Sequence, residues 1–475
     1  MAKVNESSKS SKILLIMQNK PLNILILAAG KGTRMHSNQP KVLHEIGGQP
    51  ILRHVINCAK HLNPKKIIVV YGYGGEQVKE AFQDENIIWA EQKEQLGTGH
   101  AVQQALPHLD SESNTLILLG DVPLVSTAAC EKLLAQADNQ LIIQSFKKTD
   151  PTGYGRIVRN EHGKVNAIVE QKDATTSQQA INEVNTGIMA MPTNHLSIWL
   201  QRLTNNNAQQ EYYLTDIVGF AVADKVEVNA VTIDDEWSVT GINSKQDLAQ
   251  IERVYQQRQA VDLLQKGVTL FDPARIDIRG NVETAKDVEI DVGCIFEGQV
   301  SLGEGVKIGA YCVIKDATIA AGTVIAPFTH IVETTIGENS KIGPYARLRP
   351  GTTLGNETHV GNFVELKNAQ VDTGSKINHL SYVGDASVGK QVNIGAGTIT
   401  CNYDGANKFR TVIEDNVFVG SDSQLVAPVT IGQGGTIAAG STITKNTPAE
   451  ALTLCRAREQ KSIAGWKRPV KAKKD

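Results

Sequence analysis

Three stretches carry residue types at spacings that suit chemistry. The first is Ala29-Gly30-Lys31-Gly32-Thr33-Arg34-Met35, which follows directly on the apolar run 23–28, NILILA. A glycine-rich turn after a buried strand lets backbone N–H groups close on an anion, so this is either a phosphate cradle or a plain strand-to-loop turn. It is not a Walker loop, because Lys31 lies between the glycines. Nor is it a dinucleotide fingerprint, because Met35 stands where a third glycine is needed. The second is Asp121, in Gly120-Asp121-Val122-Pro123 just past the apolar run 115–119. A carboxylate at the end of a strand suits Mg²⁺, a hard ion that takes one or two carboxylates plus phosphate oxygens; a turn or cap Asp is the alternative. The third is 401–411, CNYDGANKFRT, a polar and aromatic interruption of a periodic region. A long loop on a rigid support is a common seat of function.

Further polar groups fall in the same N-terminal half. Lys41 follows Pro40, where it can meet a phosphate as a point charge. Gln95-Leu96-Gly97-Thr98-Gly99 opens a helix and can read a base by hydrogen bonds. Gly153-Tyr154-Gly155-Arg156, Glu170, Asn185-Thr186-Gly187 and Asn243 are loop-adjacent, and each taken singly reads as structural. His379 taken alone is a polar corner residue.

The elements that must position these groups are of two kinds. Helical patterns at 51–62, 76–82 and 98–106 alternate with apolar runs at 23–28, 66–71, 87–90 and 115–119. That βαβ series predicts a doubly wound α/β domain with ligands at the carboxyl ends of its strands. Residues 244–266 read as one helix stopped by Gly267, a connecting arm. Beyond it an aliphatic residue recurs every sixth position, as in Ile336, Ile342, Leu348, Leu354, Val360 and Leu366. A period of six fits neither an α-helix nor a half-buried sheet; it fits a parallel β-helix with three hexads per coil. The pattern is irregular over 268–300, regular after that, and ends near Thr447. Five-residue steps such as Ile314 to Ile319 and Leu366 to Val371 predict shortened corners, and 401–411 predicts a loop extruded from the prism.

The totals exclude several classes. The chain has 475 residues and a formal net charge of −2, which argues for two or three domains and against general nucleic-acid affinity. Six cysteines scattered without a C-x-x-C pair predict reduced thiols in a cytoplasm, with neither a disulfide framework nor a zinc site. No segment is long and apolar enough to span a bilayer. The run 13–17 is too short for a signal sequence, so 1–20 is expected to be a disordered extension, with Met17 an alternative start. The tail 455–475 is basic, either solvated or facing a ligand's phosphates.

Taken together, LAAGKGTRM followed by Pro40-Lys41-Val42-Leu43 closely resembles the sugar-nucleotide pyrophosphorylases. With the hexapeptide array and GNFVELK, HLSYVGD and NIGAGTITCNYDGANK, the chain from about Asn23 to Lys471 resembles the bacterial bifunctional N-acetylglucosamine-1-phosphate uridyltransferases / glucosamine-1-phosphate acetyltransferases. The resemblance implies a Rossmann-like nucleotidyltransferase domain over 21–245, a linker helix over 246–267, and a left-handed parallel β-helix acetyltransferase domain over 268–475. It implies a nucleotide site at Leu27, Ala28, Ala29, Gly30, Gln92, Gly97 and Thr98, with Arg34 and Lys41 facing the triphosphate. The sugar would lie at Gly155, Glu170 and Asn185, and Mg²⁺ at Asp121 and Asn243. In the second half it implies His379 as general base, oriented by Glu365. Arg349 and Lys367 would hold the sugar phosphate, Tyr382 and Asn393 the sugar, and Ala396, Asn402, Tyr403, Ser421, Ala439 and Arg456 acetyl-CoA. Leu119 departs from the aromatic residue often found two before the Asp. The resemblance further implies a cytoplasmic homotrimer that makes UDP-N-acetylglucosamine for the cell envelope from glucosamine 1-phosphate, acetyl-CoA and UTP, with no nucleic-acid or membrane partner. Two rivals are a single-activity pyrophosphorylase with a regulatory β-helix and a scaffold subunit that has lost its site. A third keeps both activities but accepts galactosamine analogues.

Overall fold

The computed structural model describes residues 20–456; the expected extension before Lys20 and the basic tail beyond Arg456 lie outside the described residues. The chain divides into two compact units, one up to Tyr255 and one from Gln256. The division falls inside a single helix, Lys245–Gln265. Its first half packs Leu248, Val254 and Tyr255 against a cluster that holds Met35, Ile46, Ile51, Leu124, Ile242 and Ile251. Its second half puts Ala260 and Leu263 into the core of the second unit. The helix therefore belongs half to each core, and Gly267 at φ +91 ends it.

The first unit is built on a nine-stranded mixed sheet. Its strands are β1 (Leu22–Ala28), β2 (Lys66–Tyr71), β3 (Ile88–Glu91), β4 (Asn114–Leu119), β5 (Leu141–Lys147), β6 (Arg156–Arg159), β7 (Val165–Val169), β8 (Glu183–Pro192) and β9 (Val228–Ile233). The order is β9-β5-β8-β4-β1-β2-β3, with β6 and β7 as a hairpin leaning on β8. The uninterrupted apolar runs of β1, β2 and β4 follow from burial on both faces. β1 pairs parallel to both β2 and β4. The chain passes outward from β1 to β2 and β3, then returns to place β4 on the other side. That reversal leaves a crevice at the carboxyl ends of β1 and β4, the place where such sheets take ligands.

The second unit is the parallel β-helix expected from the hexads, in the left-handed form that the resemblance implies. Strand pairs such as Ile308↔Ile325 and Ile342↔Val360 show that one coil takes 17 or 18 residues. Ile308, Ile325, Ile342, Val360, Ile377 and Ile394 stack inside and are buried, each worth about 1.5–3 kcal/mol over exposure. The five-residue steps are corners turned by one left-handed residue, Asp316, Glu333, Asn368 or Asp385, types that tolerate that backbone better than β-branched residues do. Coiling starts earlier than the period shows. Thr269–Leu270 pairs with Glu289–Ile290, and Ile276–Thr284 pairs residue for residue with Cys294–Leu302. Here Gly280 and Gly298 turn the corner while the ladder runs through them, which hides the hexad phase. One strand also follows Thr447, Leu452–Thr453, paired to Thr436–Ile437. Along one corner the left-handed residues are Tyr311, Phe328, Tyr345, Phe363 and Leu380. The four rings stack at 5.4, 5.0 and 5.3 Å and stand about half exposed.

Candidate active sites

In the first unit the ends of β1 and β4 meet closely. The Gly120 N–H donates to Leu27 O at 2.8 Å, and a Cβ at Gly120 would lie 2.9 Å from that of Ala28. Past Ala29 and the exposed Gly30, Gly32 takes φ +60 against the stem of Lys41, where a Cβ would meet Lys41 Cβ at 2.8 Å. A short turn, Thr33–Met35, then buries Met35 and leaves Arg34 at the mouth of a cleft of about 440 Å³. Leu27, Thr98, Leu119, Asp121, Gly155, Glu170, Asn185 and Asn243 also line that cleft. Lys41 Nζ donates to Asp121 Oδ2 at 2.5 Å and to Asn243 Oδ1 at 3.3 Å. The Asn243 segment is held there by Ile242 N–H on Asp121 O, and by Asp247, which accepts from the Asn243 and Ser244 N–H groups.

Gln92 and Gly97 do not line that cleft, whereas Thr98 does. The buried Gln92 amide donates to Gly97 O at 3.0 Å, and Thr98 Oγ1 accepts from Leu214 N–H at 3.1 Å. Asn185 N–H donates to Gly155 O, which ties those two expected sugar contacts together. Glu170 accepts from Thr215 Oγ1 at 3.0 Å. Burial pushes the Glu170 carboxyl above its ordinary range; Thr215 opposes this, and Asp216, Asp173 and Glu211 add to it. Leu119 packs against Gly187, where a Cβ would come within 2.8 Å of Leu119 Cδ1.

In the second unit the strand pairing puts Asn362, His379, Ala396, Ser421 and Ala439 at the same corner of successive coils. Coils rise by about 4.8 Å, so the line from His379 to Ala439 is about 14 Å long. Arg456 closes its far end by donating to Ala439 O at 2.9 and 3.1 Å. Glu365 and Tyr382 point outward on one adjoining face, with Arg349 and Lys367 at its far corner. Asn393 points outward on the other adjoining face. The loop leaves the strand Ile399–Cys401 and returns at Thr411–Ile413. It is anchored: the buried Asn402 amide donates to Asp385 Oδ2 at 2.5 Å, and Asp404 Oδ1 accepts from the Ala406 and Asn407 N–H groups at 2.7 Å. Tyr403 remains exposed.

The expected contact between Glu365 and His379 is not formed. Glu365 pairs with Arg349 at 2.8 Å and Arg347 at 3.7 Å, two fixed guanidinium charges that a carboxylate binds strongly. His379 Nδ1 instead meets Asn362 Oδ1 at 3.1 Å. Asn362 was missed, although a step of 17 residues back from His379 finds it. Lys408 was missed too. It lies against Lys367, and that neighbouring ammonium, with burial, pushes Lys367 below the ordinary lysine range. Asp385 is the third omission. Burial opposes its ionisation, but bonds from Asn368 and Asn402 and the charges of Lys367 and Lys408 outweigh it and lower its pKa.

Three family models match the chain: MobA-like NTP transferase domain over residues 24–182, GMPPB C-terminal domain over 278–371, and bacterial transferase hexapeptide (six repeats) over 410–445. A solved UDP-glucose pyrophosphorylase complexed with UDP-glucose aligns with 50% of this chain and 99% of that one, at 16% identity and a TM-score of 0.41, too low to argue from. The "Bifunctional protein GlmU" of Methylobacillus flagellatus is 66% identical over 453 residues, 95% of this chain and 98% of that protein. Those of Nitrosospira multiformis and Chromobacterium violaceum are 58% and 55% identical, each over 95% of this chain and 99% of theirs. With both halves covered at such identity, the chain belongs to the family of bifunctional GlmU proteins and is an enzyme with a nucleotidyltransferase half and a hexapeptide acetyltransferase half.

Proposed function

We propose that the β-helix acetylates glucosamine 1-phosphate from acetyl-CoA, and that the first unit couples the resulting N-acetylglucosamine 1-phosphate to UTP. The reading is carried by the corner line of the β-helix: one histidine at its foot and small residues Ala396, Ser421 and Ala439 above it, a track for an extended arm. With Nδ1 engaged by Asn362, His379 offers Nε2 as the base. As the sugar amine attacks the thioester carbon, a C–N bond forms, the C–S bond breaks, and the amine proton passes through His379 to the leaving sulfur. Arg349, Lys367 and Lys408 form a cluster of positive charge that suits the sugar phosphate, with Tyr382 and Asn393 for the sugar and Tyr403, Asn402 and Arg456 for acetyl-CoA.

In the first unit, the phosphate of N-acetylglucosamine 1-phosphate attacks the α-phosphorus of UTP and pyrophosphate leaves. Asp121 and Asn243 fit a hard divalent ion, since their two oxygens already share one cation, the Lys41 ammonium. Mg²⁺ held there would neutralise developing phosphate charge. Arg34 and Lys41 bind the triphosphate, the turn from Leu27 to Gly30 with Gln92, Gly97 and Thr98 orients the nucleotide, and Gly155, Glu170 and Asn185 orient the sugar.

A homotrimer is part of this reading. It is supported by the exposed ring ladder from Tyr311 to Phe363, and by the placing of Asn393 on a different face from Glu365 and Arg349, which suits a site completed by a neighbouring chain. The substrates UTP and acetyl-CoA support a cytoplasmic setting. Among the described residues no helix is long and apolar enough to cross a membrane. The test is one reaction with acetyl-CoA, glucosamine 1-phosphate, UTP and Mg²⁺, following free thiol and pyrophosphate separately. Both are expected to rise; pyrophosphate from pre-acetylated sugar phosphate with no thiol would leave the β-helix without its proposed chemistry.

A further inference from the structure

We infer that Lys41 is the resident counter-cation of the Asp121–Asn243 pair, and that a divalent ion and the Lys41 ammonium exchange there, the lysine moving off toward the bound triphosphate. The inference rests on reading Asp121 and Asn243 as the ligands of that ion. Lys41 Nζ bridges the two oxygens the ion would use, Asp121 Oδ2 at 2.5 Å and Asn243 Oδ1 at 3.3 Å. The arrangement is built, not incidental. The Lys41 side chain is 10% exposed and that of Asp121 23%. Gly32 presses on the lysine stem, and the turn Lys41–Leu43 holds the backbone through Leu43 N–H on Pro40 O at 3.0 Å.

Two cations cannot share one carboxylate oxygen without strong repulsion in a partly buried site. Entry of a divalent ion must therefore drive the ammonium off Asp121. The displaced ammonium is a point charge on a long flexible stem and needs another anion. A triphosphate in the cleft is such an anion, and Arg34 already stands at its mouth. Without nucleotide the lysine keeps Asp121 neutralised and opposes the ion; with nucleotide both cations find partners. Ion and nucleotide binding are then coupled, each favouring the other.

The test is a titration of the full-length protein with Mn²⁺ alone, followed by electron paramagnetic resonance, for wild type, Lys41→Met, Lys41→Arg and Asp121→Asn. Without nucleotide, Lys41→Met is expected to bind Mn²⁺ about tenfold more tightly than wild type, and Lys41→Arg to stay near wild type. In wild-type protein labelled at lysine, with Lys41→Arg assigning the signal, Mg²⁺ is expected to shift the Lys41 resonance; this holds even if Lys41→Met folds poorly. Unchanged or weaker Mn²⁺ binding in Lys41→Met, or a Lys41 signal unmoved by saturating Mg²⁺, would overturn the exchange. If Asp121→Asn binds Mn²⁺ as wild type does, the ligand reading itself fails, and the exchange with it.

Discussion

Glu170 shows how a single side chain trades stability for use. Its carboxyl is raised chiefly by burial, so the folded protein holds that proton more tightly than the unfolded chain does. The stability it gives is full below the unfolded carboxyl pKa, about 4.3, and is lost as pH rises through the higher folded value. Glu170→Gln keeps an acceptor for Thr215 and removes the buried charge. We expect it to raise Tm at pH 8 by on the order of 2 °C, to leave Tm unchanged at pH 4, and to weaken use of the sugar phosphate. Thermal melts at the two pH values with KM for N-acetylglucosamine 1-phosphate check this; equal Tm gains at both would mean the effect is not titration. At this scale the sequence singled out Asp121 by its place just past a strand and Lys41 by its loop after Pro40, while Asn243 entered as a ligand only with the family resemblance; the structure brings both oxygens to the Lys41 ammonium. It did not locate the partner of His379. Which neighbour an exposed ring takes is decided by competing charges, and Arg349 and Arg347 hold Glu365 away.

Among the elements, the corners of the β-helix decide where function sits. Gly361 opens the corner that carries Asn362 and Phe363, and a Cβ there would lie 2.0 Å from Asn378 O of the next coil. Gly361→Ala must force those coils apart, so we expect a loss of about 1–3 kcal/mol in denaturant unfolding of the β-helix, with acetyl transfer falling and uridyl transfer retained. The loop 402–410 is the other decisive element, since Asp385 and Asp404 fix its root and its turn while the Tyr403 ring is exposed, its hydroxyl donating to Gly405 O at 2.7 Å. Its excision should abolish thiol release from acetyl-CoA; a fully active deletion variant would remove the loop from the site. The hexad period and this interruption were plain in the sequence because one inward aliphatic residue per strand is a strict demand. The first coils were not, since Gly280 and Gly298 carry the ladder around a corner and blur the period. The boundaries of the long helix were legible from its polar face and Gly267, but its division between two cores was not, because both halves need only ordinary apolar positions.

At the scale of the whole molecule, one exposed stripe of the β-helix bears on assembly. The ring ladder is an apolar stripe that water disfavours. Phe363→Asp with Tyr345→Ser should lower the assembly state in sedimentation, reduce acetyl transfer sharply, and leave pyrophosphate release intact. No spacing in the sequence spoke to assembly; the stack became visible only once corner residues seventeen or eighteen apart lay over one another. That one chain carries two separate chemistries is tested by a paired assay of His379→Ala and Asp121→Ala. Free thiol is followed from acetyl-CoA with glucosamine 1-phosphate, and pyrophosphate from UTP with N-acetylglucosamine 1-phosphate. His379→Ala should lose thiol release by about 100-fold or more and keep pyrophosphate release near wild type, and Asp121→Ala should do the reverse. Loss of both activities in either variant would mean that the two chemistries are not separate, and undiminished thiol release in His379→Ala would mean that His379 is not the base.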